Sequence, residues 1–355
     1  MLLTFGRGGS DPFPVGFYLH NLDSLNGVSE KEKLSRIKKS MIEKLSPNDL
    51  FIPEVGGERL ELLTKLFQNN IIKNGLGNGW TAERIWGFNI TIDANLLKNT
   101  GIGWPVFEGK NIHQFLYNYS KPQYVAHSKN GLNRMSKTRV IKGKHIDVHD
   151  SYRIIIRNTS SPTNMRTVVA SIIPPHSFHT DSVFTLILKQ HKKIILNRDY
   201  LYKLTYLCGI FNSMTFDYMA RSIVQMNVKT AILSLPIPNE SMHNKKISQL
   251  SAMLSIGTNK FASLAESMRL DNLLLTSNQR IKTTAMLDAL VAHAYGLSKF
   301  DYQVVLNSFK FGEDPTLMIK QNINWSDGNT MKNFYGEVRK LAPKYYNDIG
   351  DGKID

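Results

Sequence analysis

Four short runs of β-branched and apolar residues in the middle of the sequence place the strongest constraint on its fold. They are WGFNITI at 86–92, YRIIIR at 152–157, RTVVASII at 166–173 and VFTLILK at 183–189. Each is bounded by Gly, Pro, Asn or Ser, as strands usually are. One long helical pattern, over residues 200–224, interrupts them. The sequence therefore predicts a β-rich centre.

Helical patterns flank this centre on both sides. Ser29 and Glu32 have the spacing of a capping box, and apolar residues then recur at helical spacing over 33–45. Further helices are predicted over 59–67, 247–267, 281–295 and 302–308. The predicted fold class is α+β, with an N-terminal connector carrying two helices (1–85), a β-rich domain including the long helix (86–238) and a helical C-terminal segment (239–355).

The charge balance points to a polyanionic partner. Lys and Arg number 44 against 29 Asp and Glu, which gives a formal net charge of +15, and such a field attracts nucleic acid by counterion release. No apolar run has the length of a membrane span, so no membrane partner is expected. Cys208 is the sole cysteine, which excludes an intramolecular disulfide and fits a cytoplasmic location.

Patterns for methyl transfer or metal chemistry are weak. A methyltransferase acting on an exocyclic amine needs an Asn/Asp/Ser-Pro-Pro-aromatic loop, and the nearest match, IIPPHSF, has Ile173 before Pro174. The glycines of FGRGGS at 5–10 fit a turn better than a nucleotide loop. In the H-x-D-x-H-D run the candidate ligands are His145, Asp147, His149 and Asp150, and a solvated turn is the favoured interpretation.

Two alternatives to DNA reading stay open at this point. Asp93, Glu108 and Lys110 match the loose pattern of a metal-dependent nuclease, in which two carboxylates hold a divalent ion and a lysine steadies the attacking water. The pattern is short and common by chance. The other alternative is a non-catalytic scaffold that binds proteins.

Three ordered stretches carry a family resemblance. They are PVFEGKNIHQF at 105–115, the segment 152–175 with its Thr-Asn-x-Arg-Thr turn and Ile-Pro-Pro end, and the helical GIFNSMTFDYMAR at 209–221 followed by the segment 287–309. Together they resemble the C-terminal target-recognition region, with a TaqI-type specificity domain, of adenine-specific DNA methyltransferases of the type IIG restriction-modification and BREX phage-defence kind. The first is similar to that family's aromatic-x-Gly-Lys-x-x-His-x-Phe signature, carried here by Phe107, Gly109, Lys110, His113 and Phe115.

The resemblance and the residue chemistry together give a set of candidate DNA-binding residues. Guanidinium and short polar groups on one hairpin can meet phosphates or base edges, and some of the arginines can instead pair with core carboxylates and hold the hairpin in place. The candidates are Lys110, His113, Arg153, Arg157, Asn158, Thr159, Asn164, Arg166 and Thr167.

The third stretch is expected to be mainly structural. In the family its helices pack on the recognition sheet and brace it, although some polar side chains of the helix can face a neighbouring domain or DNA. Those side chains are Asn212, Ser213, Asp217 and Arg221, and His293 is expected to be a packed histidine.

The resemblance implies sequence-specific binding of double-stranded DNA, in which the chain positions an adenine for a methylase that flips it. In the family the methyl-transfer half lies N-terminal to these stretches. We therefore expect the recognition part of a split system, or a fragment of a longer enzyme, that is not catalytic alone. No cofactor is expected in this chain, and S-adenosylmethionine and Mg²⁺ are expected only on the partner or missing half.

Overall fold

A computed structural model describes residues 9, 11–16, 34–45, 58–137, 148–160, 165–223, 228–271, 274–309, 323–324, 330–331 and 334–354. The chain forms two compact units, Met1–Asn69 and Asn70–Asp355. Helices and strands are both well represented, so the predicted α+β class is confirmed.

The first unit contains a small antiparallel hairpin and two helices. Its elements are β1 (Phe13–Gly16), β2 (Leu34–Ile37), α1 (Lys39–Leu45) and α2 (Glu58–Leu66). The helix predicted over 33–45 begins only at Lys39, because the preceding residues pair with β1. The Asp11 carboxylate accepts a hydrogen bond from the Lys39 backbone N–H (3.0 Å) and so satisfies a free donor at the helix start.

Two sheets form the β-rich part of the second unit. The larger has the order β4-β10-β7-β8 and is antiparallel throughout, and the smaller has the order β6-β5-β9. The strands are β3 (Asn70–Ile71), β4 (Trp80–Ile85), β5 (Trp104–Phe107), β6 (Tyr124–Ala126), β7 (Arg153–Arg157), β8 (Ala170–Ile173), β9 (Phe178–His179), β10 (Val183–Gln190), β11 (Pro236–Ile237), β12 (Ile323–Asn324) and β13 (Thr330–Met331).

Helices cover the larger sheet and continue to the C-terminus. They are α3 (Ser128–Lys137), α4 (Arg198–Asn212), α5 (Met214–Ile223), α6 (Val228–Ala231), α7 (Asn244–Ser255), α8 (Ala262–Met268), α9 (Ser277–Ala294), α10 (Lys299–Asn307) and α11 (Phe334–Gly350). Helix α4 packs on β8 and on α7, and α9 packs on α7 and α11. The helical C-terminal segment therefore belongs to the same compact unit as the sheet, whereas the sequence suggested a boundary after residue 238.

Close packing between α4 and the tail helices depends on a glycine. A Cβ on Gly209 would lie 3.1 Å from Ile247 and 3.4 Å from Leu287. The missing side chain lets the helix backbone approach its neighbours, so the glycine of the 209–221 stretch has a packing role.

Two local predictions differ from the structure. Residues 86–92 are not a strand, because the Asn89 side chain accepts hydrogen bonds from the backbone N–H groups of Thr91 and Ile92 and makes a turn. The long helix is broken at Ser213, whose hydroxyl accepts from the Phe216 N–H and caps α5. In the part of the chain that the structure describes, no helix is long and apolar enough to cross a membrane.

Candidate nucleic-acid interface

The GKNIHQF stretch forms a tight turn at the end of β5. A 3-10 turn spans Gly109–Asn111, and Glu108 and Asn111 cap each other across it. The Asn111 amide also donates to the Ser120 hydroxyl (3.1 Å) and the Lys121 carbonyl (3.1 Å). These bonds tie the start of the loop at 109–123 to its end, and we call this loop the lysine loop.

Arg157 fixes the lysine loop from behind. Its Nε donates to the Gly109 carbonyl (2.8 Å) and its Nη2 to the Ile112 carbonyl (2.8 Å). The Gly109 N–H in turn donates to the Ser182 hydroxyl (3.0 Å). Burial lowers the pKa of Arg157. The guanidinium thus holds two backbone carbonyls, and its charge lies just beneath the loop.

The outer face of the loop is basic. Lys110 is exposed, pairs with Glu108 (3.0 Å) and donates to Gln123 (3.0 Å). Lys121 is exposed at the loop's end, and Lys98 is exposed and joined to Val125 by backbone hydrogen bonds on the edge of β6. Together these side chains present positive charge on a rigid backbone, which suits contact with phosphates.

Arg153 lies in the core of the larger sheet. Its side chain has 0% exposure, and its Nη2 donates to the Ser177 carbonyl (2.7 Å) and hydroxyl (3.1 Å). In this arrangement the guanidinium links β7 to the segment before β9 and cannot reach DNA.

Arg166 is also buried and joins the sheet to the helices. Its Nη2 donates to the carbonyls of Asn212 (2.8 Å) and Ser213 (2.7 Å) at the end of α4, where carbonyls carry partial negative charge. Its Nε lies 3.0 Å from the Asp217 carboxylate. Pairing with a core carboxylate is the structural role that the sequence left open for some of the arginines.

The polar residues of the third stretch organise the same region. The Asn212 amide exchanges two hydrogen bonds with the Ala170 backbone (3.1 and 3.0 Å). Asp217 accepts from the backbone N–H groups of Thr167 (3.2 Å) and Val168 (2.7 Å). Asn212, Ser213 and Asp217 are buried and Arg221 is partly buried, and the side chains of Asn212 and Asp217 hold the 166–170 segment in place.

The remaining candidates are divided between surface and interior. Thr159 is exposed, whereas Asn158 is buried and donates to the Asp181 carbonyl (3.0 Å). Thr167 is buried beside Asp217. Asn164 lies outside the described residues. The backbone N–H groups of Asn158 and Gly109 both donate to Ser182, so the segments that carry Thr159 and Lys110 meet at this residue.

His113 is a residue of the lysine loop, and its Nδ1 is buried. Its ring faces Tyr119 at 5.0 Å and Tyr335 at 6.1 Å, measured between ring centroids. Burial, together with Arg157, Arg280 and Arg166, lowers the pKa of His113 to about 3. The imidazole is therefore neutral at physiological pH.

Both carboxylates of the nuclease alternative have partners within the fold. Asp93 is buried, lies 2.6 Å from Arg134 and accepts the Asn89 N–H (2.9 Å). Glu108 caps the turn and pairs with Lys110. Asp93 thus has structural partners, and Glu108 both caps the turn and pairs with the lysine of the nuclease alternative.

The other weak patterns add no cluster of ligands. His149 is buried, and Asp150 pairs with His176 (3.1 Å). His145 and Asp147 lie outside the described residues, as does most of FGRGGS. Over the described ranges, no group of three or more His, Cys, Asp or Glu side chains is placed to hold a metal ion.

Several residues of this region could not be identified from the sequence alone. Tyr335 and Arg280 come from the first turns of α11 and α9, far along the chain from the lysine loop. Lys98 and Lys121 lie in separate loops and are brought to one edge by strand pairing. Only the tertiary fold brings these four residues close to the residues that the sequence predicts for the site.

No family model matches this chain, and no match to a curated protein was found.

Proposed function

We propose that this chain binds double-stranded DNA in the cytoplasm, as the target-recognition part of an adenine-specific DNA methyltransferase in a restriction-modification or phage-defence system. The observation that carries the proposal is the lysine loop, where Arg157 and Asn111 hold the backbone rigid while Lys110 and Lys121 remain exposed. The net charge of +15 and the three ordered stretches support the same function.

In this proposal the exposed residues contact DNA and the buried ones position them. Lys110, Lys121 and Thr159 face the duplex. Arg153, Arg166 and Asp217 act inside the fold, where they fix the strands that carry the loop. Methyl transfer, S-adenosylmethionine and Mg²⁺ belong to a catalytic domain that flips the adenine, either on a separate methylase or elsewhere in a longer protein.

The salt dependence of DNA binding tests the role of the two lysines. Each lysine that neutralises a phosphate contributes about 0.9 to the slope of log affinity against log salt concentration. The double variant Lys110→Gln/Lys121→Gln should therefore bind more weakly and lower that slope by about 2. Binding is measured by fluorescence anisotropy with a labelled duplex pool between low and moderate salt.

A matched variant controls for the loss of net charge. Lys344 and Lys353 are exposed and paired with Asp348 and Asp351 at the C-terminal end of the chain. Lys344→Gln/Lys353→Gln removes the same charge and should leave the slope unchanged. If the wild-type protein has no affinity for DNA at low salt, the proposal is refuted. If the wild-type protein cleaves plasmid DNA in Mg²⁺ and the Glu108→Ala variant does not, the chain is a nuclease instead.

A further inference from the structure

The side chain of His113, in the lysine loop, has a buried ring nitrogen without a described partner. Its Nδ1 is buried, and the described residues give it no hydrogen-bond partner. The ring lies between Tyr119, which is 38% exposed, and Tyr335, which is buried. A buried polar atom without a partner costs free energy, so a group that bonds to Nδ1 would stabilise the folded chain.

Three arginines lie in the vicinity of the His113 ring. Arg157 binds the carbonyl of Gly109, at the start of the 3-10 turn, and that of Ile112, the residue before His113. The guanidinium carbon of Arg166 lies over the ring of Tyr335, 5.7 Å from its centroid. Arg280, in the first turn of α9, is close enough to lower the pKa of His113.

The hydrogen-bond partners of Arg157 do not neutralise its positive charge. Both of its hydrogen bonds go to neutral backbone carbonyls. The Asp217 carboxylate pairs with Arg166 and Arg221. A partly buried guanidinium beside neutral carbonyls keeps its positive charge, and mobile ions screen it less than a guanidinium at the surface.

We propose that Arg157 and His113 form a binding site for a phosphate group, reached from the solvent side beside Tyr119. The guanidinium is a preferred partner of phosphate oxygens. In the tautomer that carries its proton on Nδ1, the neutral imidazole donates one hydrogen bond to the same group. Arg280 and Arg166 add positive potential behind the site. The phosphate belongs either to the backbone of bound DNA or to a free phosphate ester.

Inorganic phosphate tests this site without DNA and so independently of the proposed function. Thermal unfolding of the full chain is followed in phosphate and in chloride of equal ionic strength. Phosphate should raise the Tm in a saturable way, because a ligand that binds the native state stabilises it. Absence of any shift relative to chloride would refute the site.

The variant His113→Phe makes the test specific. Phenylalanine keeps an aromatic ring between Tyr119 and Tyr335 and removes the nitrogen, so the variant should fold at least as stably in chloride. Loss of a hydrogen bond to a charged group weakens phosphate binding by about tenfold or more. An unchanged phosphate response in His113→Phe would refute the assignment.

Two further variants complete the design. Arg157→Gln should also lose the phosphate response, and because it loosens the lysine loop, its Tm in chloride is compared first. Arg198→Gln, an exposed arginine beside Tyr202, should keep the response. Displacement of phosphate by a short duplex assigns the site to the DNA backbone, and retention of phosphate in the presence of bound duplex assigns it to a free phosphate ester.

Discussion

Asp217 should be essential to the stability of the second unit. Its carboxylate has 0% exposure and accepts from the backbone N–H groups of Thr167 and Val168, while Arg166 and Arg221 lie at 3.0 and 3.6 Å. Four donors from two segments of chain thus converge on one side chain. The substitution Asp217→Asn keeps its shape and removes its charge.

The cost of this substitution follows from the contacts. Asparagine presents one oxygen and one NH₂ group, so in either orientation a donor faces donors that the carboxylate now satisfies. Removing one partner of a buried ion pair typically costs about 3–5 kcal/mol. We expect the free energy of unfolding to fall by that amount, which corresponds to a rise of roughly two to three and a half orders of magnitude in the unfolding equilibrium constant.

Urea unfolding at pH 7, followed by far-UV circular dichroism, measures the loss. Asp181→Asn is the matched control, because Asp181 is exposed and its side chain accepts only a surface bond from Asn89 (3.0 Å) among the bonds described. That variant should change stability by less than about 0.5 kcal/mol. A loss below about 1 kcal/mol for Asp217→Asn would refute the view that the carboxylate anchors the 166–170 segment.

Three other predictions address the same unit. Asn212→Ala should cost about 1–3 kcal/mol in urea unfolding, since the buried Ala170 N–H loses its acceptor; an unchanged midpoint would contradict this. Gly131→Ala should destabilise the chain by about 1–3 kcal/mol because its Cβ would lie 2.3 Å from the Phe178 ring, whereas Gly257→Ala, with open space around it, should have little effect in the same assay. Burial lowers the pKa of His179 to about 3, so the unfolded state takes up a proton near pH 6.5 that the native state does not. Stability should therefore fall by about 1 kcal/mol from this group between pH 7 and 5.5, and His179→Gln should make the pH profile flatter.

The strands that the sequence predicts best are those buried on both faces. Residues 154–156 are three isoleucines with 0% exposure in β7, and the first six residues of β10, VFTLIL, are all buried. Such runs identify central strands without any periodicity. Strand β4, WTAERI, was missed because it lies at the edge of the sheet and carries polar residues.

The helix break at Ser213 shows why local patterns are insufficient. Apolar residues continue at helical spacing through 200–224, so periodicity predicts one helix. The Ser213 hydroxyl caps α5, and Asp288 accepts the Met214 N–H (2.5 Å) from a helix distant in sequence. A tertiary partner therefore decides where one helix ends and the next begins.

The pairing of the strands near the candidate arginines was predictable, but the burial of Arg153 and Arg166 was not. The sequence places Arg153, Arg157 and Arg166 on neighbouring strands or beside them, and the antiparallel pairing of β7 and β8 agrees with the predicted pair of strands. Which arginines face the interior depends on Ser177 and Asp217, which are distant in sequence. The pattern of hydrophobic residues in a sequence does not reveal such distant hydrogen-bond and ion-pair partners.

The positions of these charges give the proposed interface two layers with different responses to salt. Lys110 and Lys121 are exposed, so counterions screen them within about 10 Å at 0.1 M salt. Arg157 is shielded behind the lysine loop, where screening by mobile ions is weaker. The lysines should therefore govern the salt dependence and the rate of association, whereas the guanidinium should sustain the affinity that remains at high salt.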